Sequence, residues 1–125
     1  MKYIKPKKIF IVDDDEMLTE ALSDYLTRKV PHDISIFHTG EDCLQQISEN
    51  PDVIVLDFYL NTVNKEAENG LEILSIIRKQ LPSTRVIMLS SQERYGVAAK
   101  TLMKGAEQYV IKDDDAFEKI ARIID

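Results

Sequence analysis

A chain of 125 residues has the length of one domain, and its 44% hydrophobic and 30% charged residues are those of an ordinary soluble globular protein. A formal net charge of −6 argues against a sequence-independent hold on nucleic acid or on an anionic membrane. A single cysteine, Cys43, excludes an internal disulfide framework and fits a reducing compartment.

The basic start, Met1 to Lys8, is followed by only four apolar residues, Ile9 to Val12, before three aspartates. That run is too short for a signal sequence or a membrane span, so the expected location is the cytoplasm. Ile9–Val12 reads as a buried strand ending at Asp13-Asp14-Asp15. From Glu16 the period changes, and Met17, Leu18, Ala21, Leu22, Tyr25 and Leu26 define an apolar helix face that Pro31 brings to an end. Ile34 and Ile36, with His38 as an extension, make a short strand. Thr39-Gly40-Glu41-Asp42 starts a helix carrying Cys43, Leu44 and Ile47.

After Asn50-Pro51 comes Asp52-Val53-Ile54-Val55-Leu56-Asp57, an apolar, β-branched run that stops on a carboxylate. It reads as a buried parallel strand. Asn61 to Asn69 has no apolar period and reads as a loop; Leu71, Ile73, Leu74, Ile76, Ile77 and Leu81 form the next helix, closed by Pro82. Arg85–Ser90 is a fourth strand, Tyr95–Met103 a weakly patterned helix with Lys104-Gly105 after it, Gln108–Ile111 a fifth strand, and Ala116–Ile124 a last helix. Five strands alternating with five helices predict one α/β domain, a doubly wound parallel sheet with right-handed crossovers.

In such a sheet all strand carboxyl ends lie along one edge. Asp13, Asp14, Asp57, Ser90 and Lys112 should therefore converge. Carboxylate pairs about 5 Å apart repel by roughly 3 kcal/mol at an effective dielectric near 20. An oxygen-ligated divalent cation, Mg²⁺ or a close relative, would relieve this and keep positions open for a phosphate oxygen. Lys112 and Ser90 suit two further phosphate oxygens, leaving Asp57 as a nucleophile toward phosphorus. Each group has a plainer explanation: Asp13 to Asp15 and Asp113 to Asp115 as helix caps, Asp57 and Lys112 as solvated charges, Ser90 as a satisfied hydroxyl, Tyr109 as packing. Asp15 is read as a cap or a solvated acid, and Cys43, His32 and His38 as structural or solvated, since no second cysteine or spaced histidine supports a zinc site.

The ordered motifs Ile11-Val12-Asp13-Asp14-Asp15, Val53-Ile54-Val55-Leu56-Asp57, Gly70-Leu71-Glu72-Ile73-Leu74, Val86-Ile87-Met88-Leu89-Ser90-Ser91 and Gly105-Ala106-Glu107-Gln108-Tyr109-Val110-Ile111-Lys112 span essentially the whole chain. In that order they resemble the receiver domain of bacterial two-component response regulators. The resemblance implies a flavodoxin-like fold with strand order 2-1-3-4-5 over residues 1–125, with a longer regulator possible. It implies Asp57 as phosphoacceptor, and Mg²⁺ on Asp14 and Asp57, with Asp13 acting mainly through water and the Tyr59 backbone carbonyl as a further ligand. Ser90 and Tyr109 would be the switch, and Lys112 the amine that pairs with the phosphoryl group. The implied partners are a sensor histidine kinase or histidine phosphotransfer protein and an output domain or protein. A homodimer on phosphorylation is possible, with no direct nucleic-acid or membrane binding by this domain. The only catalysis implied is of its own phosphotransfer and autodephosphorylation.

Three features depart from the family pattern. No proline follows the phosphoacceptor and Gly70 stands 13 positions after Asp57, so Asn61–Asn69 includes an insertion. Asp113 stands where a proline after a cis peptide is common. Serine replaces the commoner threonine at position 90 and lacks the methyl that restricts its rotamer. Tyr59 and Gln92 lie where the family tunes phosphoryl lifetime. Two other classes stay open: a haloacid-dehalogenase-type phosphatase, which generally needs a further acidic pair and a cap domain, and a degenerate receiver serving only as a binding module.

Overall fold

The computed structural model describes residues 4–59, 70–91 and 95–125. In chain order it contains β1 (Lys8–Val12), α1 (Glu16–Thr27), β2 (Asp33–Phe37), α2 (Gly40–Gln45), β3 (Val53–Asp57), α3 (Gly70–Gln80), β4 (Arg85–Ser90), α4 (Tyr95–Met103), β5 (Gln108–Ile111) and α5 (Ala116–Ile124). A short 3-10 turn, Ile47–Glu49, joins α2 to β3. The strands form one parallel sheet in the order β2-β1-β3-β4-β5, as the resemblance implied. The expected Asn61–Asn69 loop and Gln92 lie outside the described residues.

The central strands are buried on both faces, so their side chains feed two cores. Phe10, Val12, Ile54, Leu56, Val86 and Met88 pack with Ile73, Leu74 and Ile77 of α3 on one face. Ile9, Ile11, Val53, Val55, Ile87, Leu89 and Val110 pack with Leu22 and Leu26 of α1 and Ile120 and Ile124 of α5 on the other. The continuous β-branched runs follow from this double burial, since each position must be apolar whichever way it points. At about 1.5–3 kcal/mol for each large aliphatic side chain removed from water, these two layers supply the main drive for folding.

Several local expectations are corrected. Met17 is 84% exposed and Ala21 is also exposed, whereas Thr19 is buried with its hydroxyl donating to the Glu16 carbonyl. The inner stripe of α1 is thus Thr19, Leu22 and Leu26, because the hydroxyl satisfies itself on the helix backbone and can face the core. Strand β2 stops at Phe37, so His38 is not part of it. Helix α1 ends at Thr27, four residues before Pro31. Asp15 does cap α1, accepting from the Leu18 N–H at 3.1 Å. Asp115 occupies the N-cap of α5 without a side-chain cap bond, and Asp113 instead accepts from the Asp115 N–H. No described peptide bond is cis, so Lys112–Asp113 is trans.

Candidate functional site

Strands β1, β3, β4 and β5 deliver Asp13, Asp57, Ser90 and Lys112 to the carboxyl edge of the sheet. Register pairs Val12 with Leu56, Asp57 with Leu89 and Ser90 with Ile111, so these ends lie side by side. The two-residue alternation then divides them. Asp13 follows Ile9 and Ile11, Asp57 follows Val53 and Val55, and Lys112 follows Val110, which places all three toward the α1/α5 face. Ser90 follows Val86 and Met88 toward the α3 face, the face against which Tyr109 also packs.

Carboxylate oxygens of Asp13, Asp14 and Asp57 lie within 4.8 Å of one another. Asp13 and Asp57 are almost wholly buried, at 1% and 3% exposure. The Lys112 ammonium reaches both, at 2.9 Å from Asp13 Oδ2 and 3.5 Å from Asp57 Oδ1. Asp13 Oδ1 accepts from the Asp15 N–H at 2.9 Å, and Asp57 Oδ1 from the Tyr59 N–H at 3.2 Å.

Burial, then the neighbouring Asp13 charge, push the Asp57 carboxyl up to about 7, against the opposing pull of Lys112 and the Tyr59 N–H. Burial likewise raises Asp13 above its usual range, although the Asp15 N–H and Lys112 resist it. Burial pulls the Lys112 amine down, but its contacts with the two carboxylates outweigh this and leave it raised. Three carboxylates facing one ammonium leave two negative charges unbalanced when all are ionised. Asp13 Oδ2 pairs with that ammonium at 2.9 Å, which offsets one of the three negative charges. An all-oxygen donor set with this surplus charge fits a hard divalent cation such as Mg²⁺.

Ser90 is fully buried and Tyr109 half-buried. Burial raises the Tyr109 phenol, a side-chain hydrogen bond with Ser90 lowers it, and the nearby Tyr59 and Asp57 raise it further. The two switch candidates are therefore in contact. Tyr59, half-buried, stacks edge-on against Phe58 with ring centroids 4.8 Å apart. Cys43 is buried and its thiol is pushed up to about 12, which makes it an inert core residue.

One contact at the site was not anticipated. Gly70, buried at the first position of α3, lies directly against the backbone of Asp57 and Phe58; its glycine identity inside a helix start was the available signal.

The model of the response regulator receiver domain family matches residues 9–124. Among characterised proteins, the response regulator ArlR of Staphylococcus aureus is 32% identical over 117 residues, covering 93% of this chain and 50% of ArlR. The transcriptional regulatory protein LnrK of Bacillus subtilis is 30% identical over 111 residues, covering 87% of this chain and 48% of LnrK. The chain thus spans about half the length of these relatives. The BeF3-activated receiver domain of DrrB, a Thermotoga maritima protein, superposes with a TM-score of 0.81 at 31% identity, covering 94% of both chains. With the strand order, the edge-on cluster of acids and these matches in agreement, the chain belongs to the response regulator receiver domain family.

Proposed function

We propose that the chain is a phosphorylation-driven switch in which Asp57 takes a phosphoryl group from a sensor histidine kinase or histidine phosphotransfer protein. The observation that carries this is the single lysine ammonium shared by two buried carboxylates, 2.9 Å from Asp13 and 3.5 Å from Asp57. Asp13, Asp14, Asp57 and the Tyr59 backbone carbonyl would hold Mg²⁺, which when bound neutralises the acids and the incoming phosphoryl oxygens. A carboxylate oxygen of Asp57 forms the new O–P bond while the donor's N–P bond breaks. The electron pair stays on the donor imidazole, which takes up a proton.

Lys112 pairs with the transferred group, and its present contact with Asp57 puts it within reach. The phosphoryl oxygens then draw Ser90 toward the edge, out of its hydrogen bond with Tyr109. One charge-assisted hydrogen bond formed in only one conformer is worth roughly 1.5–3 kcal/mol, enough to shift their ratio by about ten- to a hundredfold. Tyr109 repacks and the surface around β5 changes, which an output domain or partner reads. That the matched relatives extend to about twice this length supports an output region elsewhere in the same protein. Dimerisation on phosphorylation and cytoplasmic residence fit the same reading, and no described helix is long and apolar enough to cross a membrane. Nucleic-acid contacts are assigned to the output region rather than to this acidic domain.

The test is labelling by acetyl phosphate with and without Mg²⁺. Wild-type protein should take up one phosphoryl group only with the metal, and Asp57→Asn none; a labelled Asp57→Asn protein places the acceptor elsewhere.

A further inference from the structure

The peptide group between Phe58 and Tyr59 is held at both ends. Its carbonyl accepts from the Gly70 N–H at 2.9 Å, and its N–H donates to Asp57 Oδ1 at 3.2 Å. In a trans peptide the C=O and N–H point in opposite directions across one rigid plane, so fixing the first aims the second. Gly70 makes that approach possible. A Cβ at position 70 would lie 2.1 Å from the Asp57 carbonyl oxygen and 2.8 Å from the Phe58 Cα, both backbone atoms that no side-chain rotation can clear. The chain leaves at Tyr59 and returns at Gly70, so the ends of the intervening stretch are tied together beside the acceptor.

The second contact on Asp57, the Lys112 ammonium at 3.5 Å, also falls on Oδ1. We propose that Gly70 is a positioning residue: through the Phe58–Tyr59 peptide it fixes the Asp57 carboxylate so that Oδ1 is held by donors and Oδ2 attacks phosphorus. This rests on the phosphoacceptor reading. In the reaction with acetyl phosphate the Oδ2–P bond forms as the P–O bond to the acetyl group breaks, and acetate leaves with the electron pair.

The experiment compares Gly70→Ala with Ile73→Val, a core change on the same helix that leaves the peptide untouched. Two quantities are read: the Tyr59 amide resonance, and the single-turnover rate of Mg²⁺-dependent labelling by acetyl phosphate. Gly70→Ala should shift the Tyr59 amide upfield as the carboxylate bond is lost, and slow labelling by on the order of ten- to a hundredfold, the effect of misplacing a reacting group by about 1 Å. Ile73→Val should alter neither. A folded Gly70→Ala protein that labels at the wild-type rate overturns the proposal. Should Gly70→Ala not fold, wild-type protein decides: a through-hydrogen-bond coupling between the Gly70 nitrogen and the Phe58 carbonyl carbon, with a Tyr59 amide that responds to Asp57→Asn, supports it, and absence of either refutes it. Wild-type protein that takes no label sinks the phosphoacceptor reading itself; labelled wild type with an unaffected Gly70→Ala sinks only this inference.

Discussion

Replacing Asp57 with asparagine should stabilise the metal-free protein, by an amount that grows from about pH 4 and is complete above about pH 7. A carboxyl moved from 3.8 to about 7 carries roughly 4 kcal/mol against its ionised form. Asp57 is 3% exposed, so solvent does little to screen this, but the raised Asp13 carboxyl beside it shares the strain, which makes about 2–4 kcal/mol the working figure. The sign follows from proton counting. Between about pH 4 and 7 the folded chain keeps the Asp57 proton while the unfolded chain has lost it, so stability falls as pH rises through that window. Asparagine, nearly isosteric, has no proton to lose and escapes the fall. Urea unfolding in EDTA should find the variant close to wild type near pH 4 and more stable by about 2–4 kcal/mol at pH 8, or about 5–15 °C in Tm for a domain of this size. Saturating Mg²⁺ should close the gap by stabilising wild type, with about 2.7 kcal/mol available at a hundredfold excess over Kd. A gap that is absent at pH 8, or equally large at pH 4, would show that Asp57 is not the strained acid described here.

Lys112→Met removes the only positive charge among the described residues that contacts Asp13 or Asp57. Calorimetry in EDTA should show a loss of about 1–3 kcal/mol at pH 8 that shrinks as the acids protonate toward pH 5, because the side chain is 22% exposed and the pair only partly desolvated. Acetyl phosphate labelling of the same variant should slow markedly. Ser90→Ala should still accept the phosphoryl group, while the Tyr109 ring signals, followed by NMR, stop responding to it. Met17→Ala should leave stability within about 0.5 kcal/mol of wild type, whereas Leu22→Ala on the same helix should cost about 2–5 kcal/mol in urea unfolding.

The strands were legible because a doubly buried parallel strand must be apolar at every position, and runs such as Val53 to Leu56 permit no other placement in a chain this short. Helix faces were less so. Met17 fits the three- and four-residue spacing of α1, but it stands in the first turn and is 84% exposed, so among the described residues nothing covers it. Thr19 was passed over as polar although its hydroxyl closes on the Glu16 carbonyl. At the site, Asp13, Asp57 and Lys112 could be read from strand ends, since topology alone brings those ends together. What topology does not encode is close approach of backbone to backbone. Gly70 stood in a recognised motif, yet only the 2.1 Å clearance to the Asp57 carbonyl shows what the missing side chain makes room for.

The alternation of the strands also constrains the route the proposed signal would take. Asp13, Asp57 and Lys112 share the α1/α5 face, and Ser90 and Tyr109 the α3 face, with the sheet between them. Most side chains of both cores are at 0–1% exposure and closely packed, so the proposed signal would pass along the edge rather than through them. At the carboxyl edge the two faces meet without an intervening strand, and a phosphoryl group on Asp57 would stand there. It would add three oxygens beyond the end of β3, where the Lys112 ammonium already lies 3.5 Å from Asp57 Oδ1. Ser90 meanwhile shares a side-chain hydrogen bond with Tyr109, so the added group would compete with that contact for the hydroxyl. Under the proposed switch the response is a choice between two hydrogen-bonded arrangements, and a serine without the rotamer restriction of threonine can make either at little cost.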